Sequence, residues 1–457
     1  MKKILLLGVI MLILLSCSNN DSSDTKMEEA SYSIPDSLNF NIFNQRLFLK
    51  IQNQGNTLIN YSITSSKNYI TLSSSQGNIT AENQSEIGVT LDKSNLPSGI
   101  SYSKLYLNIN NKKDSIVVKV NNNIEEKVIL NSDVIDAEYS KVNDQLIYVS
   151  QHPSAVNILK TNTGITEQIP LSSPPTCISI SQDGQTAVVG HNGSISYINL
   201  NNKTVVKTYP VSCYAFDIVL GNNKWAYIFP EKGQWTFIRC INLNEINNNE
   251  SLQVGAFIYE GTKGKLHPSG KYIYGADNGI MPSDIEKYNI ETNVAQYAYD
   301  SPYLGDYDMN GNLWFSEDGN KIFTKGKNVF KTSEIKDQDM IYSGTIEINS
   351  SNVNTKIESL DHSSLKNNLY FILSYGLYFP YKKEPYLYIY NSSTLSLKNR
   401  IKLEQFAVPK NESSGSFYDA EPYFVFSNSN GNSIFVIVKA TGAGLAKEWA
   451  IQKINIE

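Results

Sequence analysis

Three short stretches set tyrosine or phenylalanine rings beside carboxylates or other charged groups. Such a combination suits a sugar, whose C–H faces stack on flat rings while its hydroxyls need paired donors and acceptors. Tyr303 and Tyr307 flank Asp306, Tyr378, Phe379 and Tyr381 precede Lys382 and Lys383, and Phe417 and Tyr418 precede Asp419 and Glu421. The alternative use of the same rings is to pack their own loops. The chain has 4 histidines. His152 and His191, with a nearby carboxylate, could bind a metal or move protons. No HxH or HExxH spacing accompanies them, and loop histidines in solvent are the simpler expectation. Asp277, Asp284, Asp306, Asp308, Asp419 and Glu421 are candidates for a glycosidic carboxylate pair, which spacing alone does not single out. No GxSxG elbow, phosphate loop or dinucleotide fingerprint appears. Binding is expected ahead of catalysis, without a cofactor or a metal.

These residues must be positioned by strands. A short polar turn recurs at Asn143-Asp144, Asp183-Gly184, Asn222-Asn223, Ser269-Gly270, Asp318-Gly319, Asn367-Asn368 and Asn430-Gly431. Each precedes a run rich in Tyr, Ile, Val and Phe, such as Lys271-Tyr272-Ile273-Tyr274, whose β-branched and aromatic residues favour a buried strand. The turns lie about 39 to about 63 residues apart, the spacing of four-stranded propeller blades. This predicts seven blades over residues 123–457. The last blade lacks an outer strand, which Lys127-Val128-Ile129-Leu130 can supply, closing the ring without leaving an open edge.

In such a blade the connections between strands one and two and between strands three and four share one face. Those between strands two and three, and between blades, share the other. The long segments, Ala276 to Asp284, Ser301 to Tyr307, Gly376 to Tyr386, Phe406 to Ala420 and Thr441 to Ala446, all fall in the second set, together with His152 and His191. That one-sidedness points to a binding face. His267 and His362 precede turns on the opposite face and are expected to cap them.

Lys2 and Lys3, an apolar stretch from Ile4 to Leu15 and then Ser16-Cys17 read as a secretory leader over residues 1–16, too short to span a membrane. Leu14-Leu15-Ser16-Cys17 resembles the bacterial lipobox, which implies lipidation at Cys17 and anchoring at a membrane surface. Ser18 in place of Asp resembles the outer-membrane sorting choice, so the expected location is the outer membrane, exposed at the cell surface. Residues 17–30 are too polar to fold and form a tether. A net charge of −5 with no extended run of Lys or Arg argues against nucleic acid as a partner. Cys177, Cys213 and Cys240 are odd in number, without a CxxC spacing. Three buried thiols are expected, and a Cys177 to Cys213 bridge stays open.

Residues 31–122 show short alternating strands with turn signals about every ten residues, the pattern of an immunoglobulin-like β-sandwich. Leu49-Lys50-Ile51-Gln52-Asn53-Gln54-Gly55, Tyr69-Ile70-Thr71-Leu72 before Gly77, and Val89-Thr90-Leu91-Asp92 leading to Leu96-Pro97-Ser98-Gly99 resemble the BACON domain. Tyr69-Ile70 stand where that family usually has Trp before Leu. The resemblance implies glycan handling, and a spacer role is the alternative. The repeats are similar to the YVTN and WD40-like repeats of secreted bacterial proteins. The whole is expected to be an all-β lipoprotein binding a glycan or a surface protein, with a propeller-based polysaccharide lyase or hydrolase, or a structural subunit of a surface complex, as alternatives.

Overall fold

A computed structural model describes residues 31–93, 96, 99–122, 127–245, 249–378, 380–411 and 414–456. Cys17 and Phe379 lie outside the described residues. The chain divides into two compact units, one ending at Ile124 and the other beginning at Glu125.

The first unit is built of two sheets. Tyr32–Ser33, Arg46–Asn53, Gln84–Leu91 and Ile70–Leu72 form one, and Ser37–Phe40, Lys112–Asn122, Gly99–Ile109, Ile59–Ser65 and Gln76–Ile79 the other. Alternation sends Leu49 and Ile51 from one sheet, and Ile59, Tyr61 and Ile63 from the other, into a single core. Buried Asn53 fixes the turn after its strand. Its Nδ2 donates to the carbonyls of Thr57 (2.7 Å) and Ile79 (3.0 Å), and its Oδ1 accepts from the Gly55 amide (3.0 Å).

In the second unit seven antiparallel blades follow in order, the second and third continuous through one long strand, with two two-stranded ribbons besides. Blade one is Asp136–Ser140, Gln145–Gln151, Ser154–Lys160 and Ile165–Pro170, and blade two is Cys177–Ile180, Thr186–Gly190, Asn192–Asn199 and the first part of Thr204–Leu220. The rest of that long strand is the inner strand of blade three, followed by Trp225–Pro230, Arg239–Asn242 and Ser251–Leu252. Blade four is Lys263–Leu266, Tyr272–Ala276, Ile285–Asn289 and Gln296–Asp300, and blade five is Leu313–Phe315, Lys321–Thr324, Asn328–Lys331 and Ile341–Thr345. Blade six is Lys356–Ser363, Asn368–Tyr375, Tyr386–Asn391 and Leu397–Lys402. Blade seven takes Glu421–Ser427, Ser433–Lys439 and Trp449–Asn455 from the C-terminus and its outer strand, Lys127–Ile129, from the start of the unit. Lys127 lies opposite Gln452, Val128 opposite Ile451 and Ile129 opposite Ala450.

Each inner strand contacts the next, and that of blade seven contacts that of blade one, so the sheets form a closed ring. Neighbouring inner strands are stitched by side chains. Asp136 and Glu138 of blade one accept from the Ile178 (2.9 Å) and Ile180 (2.8 Å) amides of blade two. Asp217 accepts from Gly264 (3.0 Å), and Asp361 from Ser427 (2.6 Å). These bonds satisfy amides of the inner strands that would otherwise be left unpaired.

All seven predicted turns join the first and second strands of their blades. Two segments depart from the expectation that the face carrying them has only short connections, one of them the stretch between Arg239–Asn242 and Ser251–Leu252 of blade three. Residues 332–340, between the third and fourth strands of blade five, form a longer excursion with a 3₁₀ turn at Lys336–Gln338. The segment has no Gly or Asn to announce a turn. It is held instead by Asp339, which accepts from the Ser333 (2.8 Å) and Met340 (3.0 Å) amides. The three described cysteines are free thiols, Cys177 and Cys240 buried and Cys213 half-buried.

Candidate functional site

The long connections of blades four to seven share one face and carry most of the candidate residues. Tyr303 and Tyr307 are half-buried and pack their own loop. They meet edge to face at 4.8 Å, Tyr307 stacks on Tyr342 at 4.3 Å, and both touch Phe330. The Tyr303 hydroxyl accepts from the Tyr342 amide at 2.9 Å. Asp306 between them is exposed. Tyr378 is 84 % exposed and Tyr381 44 %, so the blade-six loop does present rings to solvent. Phe417 is also exposed, on a two-stranded ribbon, Phe406–Asn411 with Ser414–Tyr418, inserted between blades six and seven. Tyr418 packs inward, and exposed Asp419 accepts from Gln405 Nε2 at 2.8 Å.

The histidines lie elsewhere. His152 is exposed on blade one, with Nδ1 3.0 Å from Asp133 Oδ2. His191 on blade two is buried, because it alone joins its second and third strands. Its Nδ1 lies 3.0 Å from the Pro174 carbonyl and its Nε2 2.9 Å from Ser196 Oγ, so both ring nitrogens are occupied within the fold. Burial lowers its pKa, against the hydrogen bonds to the Pro174 and Ser173 backbone. On the opposite face His267 caps its turn through Ser269 (2.8 Å), and His362 Nδ1 accepts from the Glu317 amide (3.1 Å).

Four carboxylates gather in blade four. Burial and mutual repulsion push Asp277 up to about 6, burial raises Asp284 to about 6, and burial raises Glu286 well above its usual range. Asp300 adds to the repulsion. Each already has a donor: Thr262 for Asp277, Ser301 and the Ile285 amide for Asp284, Tyr288 for Glu286 and Tyr297 for Asp300. Among the described residues no group of His, Cys, Asp or Glu is arranged to hold a metal. Asp308 is ion-paired with Lys356, and Glu421 accepts from Thr441.

Lys383 does not accompany the exposed rings before it. It turns inward to Glu358 (3.3 Å) and lies 3.4 Å from the centroid of Tyr423. Burial lowers its pKa despite Glu358.

A cleft of about 230 Å³ opens on the same face between blades five and six. Its walls are the linker Asn349–Asn352, Tyr375, and Glu384, Tyr386, Tyr388 and Arg400 of blade six. The sequence reading missed this set. Tyr386, Tyr388 and Tyr390 alternate as strand residues do, and nothing local links them to residues some 35 positions earlier.

No protein-family profile matches the sequence, and no curated protein does. Solved structures similar to the chain include a chain of Kuenenia stuttgartiensis hydrazine synthase, at 13% identity and TM-score 0.50 over 72% of this chain and 97% of that one. The β-propeller domain of Cps50 (Swd1) from Myceliophteria thermophila is 10% identical, with TM-score 0.54 over 73% and 100%. A chain of a mitotic checkpoint complex is 11% identical, with TM-score 0.51 over 73% and 95%. At these identities the likeness shows the fold alone. The chain is an all-β protein with a β-propeller.

Proposed function

We propose that the protein is a lipid-anchored binding scaffold on the surface of an outer membrane. In this reading residues 1–16 are a lipoprotein leader, Cys17 carries the lipid and residues 17–30 are the tether. Residues 31–122 form a BACON-like, immunoglobulin-like sandwich, and residues 123–457 present the long-loop face of a seven-bladed propeller to a surface protein or a glycan.

The observation that carries the reading is the exposure of apolar side chains along that face. Met281 and Leu304 are each 81 % exposed, Leu377 65 % and Tyr378 84 %, and all sit on connections of blades four to six. Scattered exposed apolar residues need no explanation, but the three most exposed large apolar side chains among the described residues, Tyr378, Met281 and Leu304, all lie on this face, which supports an interaction surface there. It favours a protein partner over a glycan. Catalysis has less support, because Asp277 and Glu286 are buried and bonded beneath their own loop.

Two measurements test the reading. Fractionation of cells expressing Cys17→Ala is expected to move the protein out of the membrane pellet, and retention there after a high-salt wash would refute the anchor. Surface cross-linking with the intact chain is expected to give a discrete adduct that is lost in Leu304→Asp and Tyr378→Asp. An adduct unchanged in both variants would refute the loop-tip interface.

A further inference from the structure

The cleft between blades five and six has a chemistry separate from the apolar loop tips. Its floor is Glu384, only 6 % exposed, and the donors on it are neutral. Ser350 Oγ (3.1 Å) and Asn352 Nδ2 (2.6 Å) donate to Oε1, and the Tyr388 hydroxyl donates to Oε2. Arg400 sits beside that hydroxyl, with its guanidinium carbon 4.4 Å from the centroid of the Tyr386 ring. Arg400 itself is exposed at the rim.

Two properties of this lining select a ligand class. The first is charge. One carboxylate and one guanidinium balance, so a charged ligand would leave one of them uncompensated in a partly desolvated site, whereas a neutral one would not. The second is the supply of hydrogen-bonding groups. A guanidinium has five N–H donors and a carboxylate about four acceptor sites, so Arg400 at the rim keeps donors, and the three donors on Glu384 leave an acceptor. Hydroxyls, which donate and accept at once, use both. The rings of Tyr375 and Tyr386 add apolar faces. The volume is smaller than the roughly 300–1,000 Å³ of pockets for drug-sized molecules, and it suits one six-membered ring.

We propose that the cleft formed by Glu384, Tyr388, Arg400 and the linker Asn349–Asn352 binds a single neutral sugar residue, free or at the end of a chain. The buried carboxylate and the amides orient its hydroxyls, and Arg400 closes one side.

The test is a titration of the full chain in detergent with glucose, galactose, mannose, N-acetylglucosamine and glucuronate, followed by saturation-transfer NMR and calorimetry. At least one neutral sugar is expected to bind. Arg400→Ala should weaken it by about tenfold, the order expected for losing a hydrogen bond from a charged group, with an unchanged melting temperature. Glu384→Gln should weaken it as well. If that variant fails to fold, Arg400→Ala decides alone, because its side chain is exposed. The proposal is overturned if no neutral sugar binds, if glucuronate binds in preference, or if Arg400→Ala binds like the native chain. The titration needs no partner protein, so its failure would leave the loop-tip reading untouched.

Discussion

Lys287 Nζ lies 2.7 Å from Asp339 Oδ2, and both side chains are shut off from water. Lys287 comes from the third strand of blade four and Asp339 from the long connection of blade five, so the pair clamps two blades together. Asp339 also accepts from the hydroxyls of Tyr274 (2.9 Å) and Tyr299 (3.0 Å). The ammonium lies 4.2 Å from the centroid of the Tyr272 ring and 5.1 Å from that of Tyr274. A buried ion pair offsets its desolvation only when its remaining hydrogen-bonding capacity is met, and here aromatic hydroxyls, ring faces and backbone amides meet it.

Removing the cation alone should therefore cost more than removing both charges while keeping an acceptor at position 339. Lys287→Met leaves Asp339 buried without its cation and is expected to destabilise the propeller by about 3–5 kcal/mol. The double variant Lys287→Met, Asp339→Asn should recover part of that loss, because the amide removes the unpaired charge and keeps an acceptor for the Ser333 and Met340 amides. Urea unfolding of the two variants measures the difference. A single variant as stable as the native chain would show that the tyrosines alone support the carboxylate.

Ring closure gives a second expectation. Lys127–Ile129 completes blade seven, and Lys127 Nζ donates to the Gln405 carbonyl at 2.6 Å while lying 4.5 Å from the centroid of Phe406. A fragment beginning at Glu125 should fold cooperatively. One beginning at Asn131 leaves the edge of Trp449–Asn455 unpaired and should aggregate. A soluble fragment from Asn131 with a sharp melting transition would rule out a closing role for this strand.

The carboxylates of the ring set a pH dependence. Burial pushes Glu138 up to about 7 from 4.5, with Asp136 and Asp217 adding to the rise and Lys265 opposing it. Asp277 and Asp284 rise from 3.8 to about 6. In each case the folded protein keeps a proton that the unfolded chain releases, so the stability is fully present below the unfolded pKa and is lost as pH climbs through the folded one. Glu317 and Glu358, held below their ordinary range because lysines and hydrogen bonds outweigh burial, act in the opposite sense only under acidic conditions. Glu138, Asp277 and Asp284 should lower the melting temperature between about pH 4 and 7. Glu138→Gln should flatten the upper part of that fall and Asp277→Asn with Asp284→Asn the lower part. A profile unaltered by all three substitutions would contradict the assignment.

The blade count was legible because the first turn of each blade puts a residue at positive φ, and in six of the seven the sequence supplies Gly, Asn or Asp there, Lys224 of blade three being the exception. Asp144 has φ 47°, Gly184 68°, Gly319 74° and Asn367 49°. The site was less legible because it depends on distant parts of the chain. His191 looked like a loop residue because it follows a strand, yet a one-residue connection buries it. Lys383 follows exposed tyrosines in sequence but is claimed by Glu358 from the inner strand of its blade. The cleft joins Glu384 to Ser350 and Asn352 across blades, a pairing that no local pattern encodes.

The rings themselves divide into two classes that one experiment separates. Tyr303 packs against Tyr307 and Phe330 and receives the Tyr342 amide on its hydroxyl, whereas Tyr378 stands 84 % exposed at its loop tip. Tyr303→Ala removes packed ring surface and leaves an amide without its acceptor, so it should destabilise by about 2–4 kcal/mol. Tyr378→Ala removes almost no buried surface and should change stability by less than about 0.5 kcal/mol. If the loop tips form the interface, Tyr378→Ala should nonetheless weaken partner cross-linking, and Tyr303→Ala should do so only as its loop unfolds. Melting curves and cross-linking yields on the same two preparations decide the matter. A Tyr378→Ala variant that loses stability but keeps its adduct would assign that ring to loop packing and remove it from the binding face.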